Sequence, residues 1–149
     1  MIIEIRRHGE YDRQTEKLTL KSKTEAMRIS SGTNYDKVFS AQLSRCVQTA
    51  EIFSYPDHPV TKEEFNDIKS GEDIKERIDK MFQIVRIYNL AKRHVQRHVQ
   101  RHVLIITHSN LIASIDYFLD GKKIPHNLDD LPVVHHLGGI RINVSKQKV

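Results

Sequence analysis

Cysteine and long apolar runs are scarce in this sequence, and each scarcity excludes a class of protein. Cys46 is the single cysteine among 149 residues, which excludes an internal disulfide and a cysteine zinc cluster. No stretch approaches the roughly 18 consecutive apolar residues of a transmembrane helix, so we expect neither a membrane span nor a membrane partner. The basic residues near the start follow a short apolar run, the reverse of a secretory signal. Together these features favour a cytoplasmic protein.

The composition is that of a globular domain. Hydrophobic residues make up 38% and charged residues 29% of the chain, which is too apolar for a disordered protein. The 24 Lys and Arg residues exceed the 19 Asp and Glu residues, and the net charge of +5 is compatible with an anionic ligand without identifying one. Because no low-complexity linker divides the chain, we predict a single domain over residues 1–149.

Segments of strand and helix character alternate along the chain. The run VLIIT at Val103–Thr107 is apolar throughout, as in a strand that is covered on both faces. Prolines mark a loop at Tyr55–Val60, and a polar connector follows at Thr61–Gly71. The alternation predicts an α/β fold, a three-layer sandwich with a mostly parallel central sheet flanked by helices. The predicted strands are Met1–Arg6, Asp36–Ser40, Val103–Thr107 and Ile140–Val144, and the predicted helices are about Lys21–Ser31, Leu43–Phe53, Glu72–Arg97 and Asn110–Leu119.

Two histidines stand where predicted core strands end. His8 follows the first strand and His108 follows VLIIT. Ligands of an open parallel sheet bind beyond the carboxyl ends of its strands, so we expect both rings in one crevice. Arg7 precedes the first histidine and Arg45 lies on the first turn of the second helix. A guanidinium offers a planar fork of donors that matches phosphate oxygens.

A four-residue repeat, RHVQRHVQRHV, covers residues 93–103. On a helix it places His94 and His98 on one face and Arg93 and Arg97 on the adjacent one. The repeat could function as a metal site or as a basic patch that binds nucleic acid. A metal site is disfavoured because no carboxylate accompanies the histidines. Nucleic-acid binding is disfavoured because no aromatic residues that could stack on bases lie between the basic ones. We therefore interpret the repeat as a solvated helix end, and we expect neither a metal nor a nucleic-acid partner.

Three separated blocks carry a family resemblance. The first is Arg7-His8-Gly9-Glu10 after the first strand, the second is Val38–Glu51 (VFSAQLSRCVQTAE), and the third is Val103–Asn110 (VLIITHSN). In this order the blocks resemble those of the histidine phosphatase superfamily, the phosphoglycerate-mutase-like phosphatases. The short chain is similar to the small phosphohistidine phosphatases.

The resemblance implies a phosphatase with a covalent phosphohistidine intermediate. It makes His8 the nucleophile, and it makes Arg7, Arg45 and His108 the cradle that stabilises the transferred phosphoryl group. No metal or other cofactor is implied, because the guanidiniums supply the positive charge. The hydroxyls of Ser40 and Ser109 are candidates for additional donors.

The resemblance also implies a carboxylic acid on the connector, which would protonate the leaving group. The segment FNDIKSG at Phe65–Gly71 places Asp67 where the family often has glutamate. Glu63 and Glu64 are the alternatives. A general acid contributes roughly two to four orders of magnitude in rate.

Departures from the family pattern leave the substrate open. Tyr11 stands where serine or threonine is common, Ser22 stands where glycine is usual, and Asn110 replaces a glycine. A minimal lid at about 55–74 favours hydrolysis over a mutase-type phosphotransfer. We expect a phosphorylated small molecule or a phosphoprotein as substrate. The alternatives are a phosphate-binding regulatory protein without turnover and a phosphoglycerate-mutase-type phosphotransferase, and the oligomeric state is open.

Overall fold

A five-stranded sheet with four helices forms the fold. The computed structural model describes residues 1–91 and 101–144. The strands are β1 (Ile2–Arg7), β2 (Lys37–Ser40), β3 (Val60–Thr61), β4 (His102–Thr107) and β5 (Gly139–Asn143), and the helices are α1 (Leu20–Ser31), α2 (Ser44–Ser54), α3 (Ile74–Ala91) and α4 (Ser109–Leu119). Two short 3₁₀ helices lie at Glu63–Phe65 and Leu128–Asp130.

The strand order places the helices in two layers. The order is β3-β2-β4-β1-β5, in which only β5 is antiparallel to its neighbour. From β1 the chain moves to β2 and β3 in one direction, and it then returns through β4 to β5. Because parallel crossovers are right-handed, connections that run in opposite directions lie on opposite faces of the sheet. Accordingly α1 packs against α2, and α3 packs against α4. The predicted α/β sandwich with a mostly parallel sheet is confirmed.

Apolar strand residues form the centre of the core. β4 is buried from Val103 to Thr107, as the uninterrupted apolar run predicted, because helices cover both faces of this central strand. β1 buries alternate residues, Ile3 and Ile5, and exposes parts of the others. The contrast shows that β4 lies deeper in the sheet than β1.

The pairing of β1 with β4 determines where the site lies. The two strands are parallel neighbours, with Arg7 opposite Thr107. The residues that follow, His8 and His108, therefore leave adjacent strands at the same edge of the sheet. The chain runs towards opposite faces after these two strands, which opens a crevice between them.

Two predicted segments differ from the structure. Tyr55–Val60 was predicted as loop, but Val60–Thr61 pairs with β2 as β3, which is too short to carry an alternating pattern. The predicted helix from Glu72 begins at Ile74, because Asp73 accepts hydrogen bonds from the N–H groups of Lys75 and Glu76 and so caps the helix. Its last predicted residues, like most of the 93–103 repeat, lie outside the described residues.

Among the residues described, no helix is long and apolar enough to cross a membrane.

Candidate active site

The His8 side chain has a defined tautomer. It is 3% exposed, and its Nδ1 lies 2.9 Å from the Gly9 carbonyl oxygen. A carbonyl only accepts hydrogen bonds, so Nδ1 carries the ring proton of the neutral imidazole. The lone pair is therefore on Nε2, as a nucleophile requires.

Burial keeps this imidazole neutral. It lowers the pKa of His8 to about 3, and the charges of Arg7 and Arg45 together with His108 act in the same direction. The hydrogen bond to Gly9 opposes the shift only in part. At neutral pH the ring is consequently unprotonated at Nε2.

The turn after β1 is attached to α2 through one hydroxyl. The Gly9 N–H donates to Thr49 Oγ1 at 3.0 Å, and that hydroxyl donates to the Arg45 carbonyl at 2.8 Å. Gly9, the residue after His8, is thus held against the helix that carries Arg45. A Cβ at residue 9 would lie 2.0 Å from Ser22 Oγ, so a larger residue at this position would require the Ser22 side chain to move.

The second histidine is in contact with the first. The ring centroids of His8 and His108 are 5.4 Å apart, with an interplanar angle of 70°. His108 is 8% exposed, and its Nε2 lies 3.5 Å from the Sγ of Cys46. Burial lowers the pKa of His108, while the charge of Asp67 raises it and the charges of the two site arginines lower it. Burial also raises the pKa of the Cys46 thiol to about 12, so this group is a neutral neighbour.

Two arginines with unused donors adjoin the histidines. The Nε atoms of Arg7 and Arg45 are buried, and neither has a hydrogen-bond partner among the described residues. Burial and the nearby charge of Arg45 lower the pKa of Arg7 from its ordinary value. Buried donors are normally satisfied. Two unsatisfied guanidinium donors beside each other are therefore suited to an anion with several acceptor oxygens.

Neighbouring groups fix the two guanidiniums in different ways. Arg7 Nη1 donates to the Val134 carbonyl at 2.8 Å. Arg45 lies over the ring of Tyr11 at 4.4 Å from its centroid, and its Nη1 is 4.0 Å from a carboxylate oxygen of Glu16. Both side chains are thus oriented before any ligand binds.

The structure brings Asp67 into the same cluster. Its Oδ1 accepts hydrogen bonds from the N–H groups of Ile68 at 2.9 Å and Leu111 at 3.1 Å, so the carboxyl lies at the beginning of α4. The charge of Asp67 acts on both His108 and Arg7. Glu63 and Glu64, the sequence alternatives, belong to the preceding 3₁₀ helix.

Each of the two candidate hydroxyls takes part in a hydrogen bond, Ser40 as a donor and Ser109 as an acceptor. Ser40 Oγ donates to the Ala41 carbonyl at 2.6 Å, and Ser109 Oγ accepts from the Val134 N–H at 2.8 Å. The Ser109 bond attaches the loop before β5 to the beginning of α4.

Sequence reasoning missed the contribution of Tyr11 and His136. Their rings lie 5.8 Å and 5.7 Å from the His8 ring, measured between centroids. His136 lies in the turn that precedes β5, more than a hundred residues after His8 in the chain. No local pattern could reveal this approach, since it results from contacts between the turn and β1.

Residues 1–91 and 101–144 contain no group of three His, Cys, Asp or Glu side chains that could hold a metal ion. His94 and His98 of the repeat lie outside the described residues.

Comparisons with solved structures identify the fold. YhfR of Bacillus stearothermophilus is 20% identical, with a TM-score of 0.64 over 97% of this chain and 91% of that chain. A mycobacterial glucosyl-3-phosphoglycerate phosphatase complexed with VO3 is 13% identical, with a TM-score of 0.69 over 95% and 90%. The protein histidine phosphatase SixA complexed with tungstate is 17% identical, with a TM-score of 0.55 over 78% and 75%.

The chain has the histidine phosphatase fold. The resemblance predicted from the three sequence blocks is confirmed at this level. No family model and no curated protein matches the sequence. The identities of 13 to 20% therefore describe a histidine phosphatase fold carried by a divergent sequence.

The His8 environment predicts a pH dependence of stability. The folded ring binds a proton only below about pH 3, whereas the unfolded side chain does so near pH 6.5. The stabilising contribution is present above pH 6.5 and is lost as the pH falls towards 3. Between pH 7 and pH 5 the wild type should lose roughly 2 kcal/mol more of its free energy of unfolding than His8→Asn. Urea unfolding in phosphate-free buffer at pH 7 and pH 5 measures the free energy of unfolding of both proteins. An equal loss of that free energy in wild type and His8→Asn would contradict the buried, neutral environment of His8.

Proposed function

We propose that this chain is a metal-independent phosphatase that forms a covalent phosphohistidine on His8. The observation that carries the proposal is the juxtaposition of an unprotonated Nε2 with buried, unpaired guanidinium donors. This combination of a nucleophile and an anion cradle suits phosphoryl transfer, in which catalysis consists mainly of positioning and charge stabilisation.

The first step transfers the phosphoryl group to the enzyme. Nε2 of His8 forms a bond to phosphorus as the bond to the leaving oxygen breaks, and the leaving oxygen takes a proton from Asp67. The ring becomes cationic, and its Nδ1–H stays bonded to the Gly9 carbonyl. In the second step water attacks phosphorus, its proton passes to the Asp67 carboxylate, and Nε2 leaves with its electron pair. Enzyme and inorganic phosphate are then released.

The cradle lowers the barrier through charge. Negative charge on the equatorial oxygens meets Arg7 and Arg45, whose orientation is fixed in advance by Val134, Tyr11 and Glu16. A preorganised donor needs no reorientation during the reaction, and each such donor is worth roughly 3 kcal/mol in comparable sites. His108 contributes a further ring donor.

Water is the expected acceptor because the connector does not extend over the crevice as a long lid. Phe65 and Ile68 are buried in the core, and the Thr107 hydroxyl donates to the Phe65 carbonyl. The segment 62–73 is therefore attached to the end of β4. A short connector attached in this way has little chain that could close over a bound substrate, which favours hydrolysis over mutase-type transfer.

The substrate class is a phosphorylated small molecule or a phosphoprotein. Among proteins of the same fold, one is a sugar-phosphoglycerate phosphatase and another is a protein histidine phosphatase. Both were solved with oxyanions, VO3 and tungstate, which supports an anion cradle in this fold.

Replacing the nucleophile should abolish turnover. His8→Ala removes Nε2, and we expect the hydrolysis of p-nitrophenyl phosphate in EDTA to fall at least about 10³-fold, the scale of losing a covalent catalytic group. Release of p-nitrophenol measures the rate. His126→Ala is the matched control, because His126 is exposed and only its carbonyl takes part in a hydrogen bond.

Three results would contradict the proposal. An equally active His8→Ala protein would remove the nucleophile assignment. A wild-type protein that binds phosphate but does not hydrolyse phosphate esters would instead be a phosphate-binding regulatory protein. Activity that disappears in EDTA and returns with a divalent metal would contradict metal independence.

The proton donor can be identified with two leaving groups. Asp67→Asn keeps an oxygen that can accept from Ile68 and Leu111 but removes the acid. The comparison uses kcat/KM, which reports the first step alone and not the later hydrolysis of the phosphohistidine. We expect kcat/KM for phenyl phosphate, which has a poor leaving group, to fall about 10²-fold or more, and kcat/KM for p-nitrophenyl phosphate to fall much less. Glu63→Gln and Glu64→Gln should leave both rates near wild type. The assignment fails if Asp67→Asn slows both substrates equally or if a Glu variant shows the leaving-group effect instead.

A further inference from the structure

His136 is a third imidazole beside the nucleophile. Its ring centroid is 5.7 Å from that of His8, at an interplanar angle of 53°. We propose that His136 contacts the bound phosphoryl group and contributes to its affinity. This inference rests on the phosphate site of the proposed function and adds to it a residue that lies outside the three sequence blocks.

Backbone hydrogen bonds hold the turn that carries His136 against β1. The Arg7 N–H donates to the Gly138 carbonyl at 2.8 Å, and the Leu137 N–H donates to the Arg7 carbonyl at 3.1 Å. Arg7 Nη1 and Ser109 Oγ bond the carbonyl and the N–H of Val134. The turn is thus fixed by the same arginine that borders the site, and His136 is held in place from both sides.

The backbone of the turn that carries His136 is strained where it lies close to β1. Leu137 has a φ of 64°, a left-handed conformation that is unfavourable for leucine, and its side chain is buried. A Cβ on Gly139 would lie 1.8 Å from the Ile5 carbonyl oxygen, so only glycine permits this closeness to β1. Strained backbone next to a candidate site is an observation that points to function.

The electrostatic surroundings of His136 are those of the phosphate cradle. Burial and the charge of Arg7 lower the pKa of His136, Glu10 opposes this, and His135 adds to the lowering. Together with His8, these are the charged or titratable groups within residues 1–91 and 101–144 that act on the ring. The neutral ring therefore has one N–H to donate, and a bound phosphate dianion would also favour its protonated form.

The ring nitrogens of His136 are available for a ligand. The residue is exposed and borders the crevice, and its ring makes no hydrogen bond to any of the described residues. A purely structural histidine would be expected to pack or bond within the protein. An imidazole with unused nitrogens, beside His8 and the unpaired Nε donors of Arg7 and Arg45, is instead suited to a phosphate oxygen.

The adjacent His135 provides a matched control. It is exposed, has the same chemistry, and contributes only its carbonyl to the turn, through a bond from the Gly138 N–H. The test compares wild type, His136→Ala, His136→Gln and His135→Ala for the binding of inorganic phosphate by isothermal titration calorimetry. The KM for p-nitrophenyl phosphate is measured in parallel, and circular dichroism verifies the fold of each variant.

We expect His136→Ala to raise the Kd for phosphate about tenfold, the scale of a hydrogen bond to a charged group. KM should rise in parallel while kcat changes less. His136→Gln should recover part of the affinity, because its amide N–H can donate, and His135→Ala should match wild type.

Three outcomes would overturn the inference. The first is an unchanged Kd in folded His136→Ala, including the case in which only KM rises, which would indicate contact with the leaving group. The second is a loss of phosphate affinity in His135→Ala that equals the loss in His136→Ala. The third is a wild type that binds no phosphate. If the wild type binds phosphate but does not hydrolyse esters, the proposed function fails, whereas the comparison of Kd values still decides the role of His136.

Discussion

The parallel pairing of β1 with β4 is the constraint on which the site depends. It is buried, it places Arg7 opposite Thr107, and it brings together two residues that are a hundred positions apart in the chain, His8 and His108. A shift of one residue in this register would reverse the faces of the side chains and separate the two rings. The rest of the site is arranged around this pair, because α2 brings Arg45 and the turn before β5 brings His136.

Burial gives these residues their chemical properties. A solvated imidazole would be partly protonated at neutral pH, whereas the enclosed His8 is neutral with its lone pair on Nε2. The same enclosure leaves the Nε donors of Arg7 and Arg45 without a hydrogen-bond partner among the described residues. Concentrated positive charge is unfavourable in the free protein, and a dianion relieves it. A single physical condition, burial, therefore leaves a free lone pair on His8 and unpaired cationic donors beside it, which are the two features that the proposed phosphoryl transfer requires.

Much of the fold and part of the site could be predicted from the sequence. The apolar run at Val103–Thr107 identified the central strand, and three blocks in order identified the fold, because both signals are local. β3 was missed because two residues carry no periodicity. His136 was missed because its approach to His8 depends on the strained turn and on Gly139, which only the folded chain brings to β1. Local sequence patterns show where strands end, but they do not show which turn, distant in the sequence, packs against those strand ends in the folded chain.

The central claim is that one oxyanion binds between His8, His108 and the two arginines. The most direct test is a crystal structure of the protein soaked with orthovanadate. The account predicts vanadium bonded to Nε2 of His8, with its oxygens hydrogen-bonded to Arg7, Arg45 and His108. Vanadate bound elsewhere, or bonded to a different side chain, would contradict it.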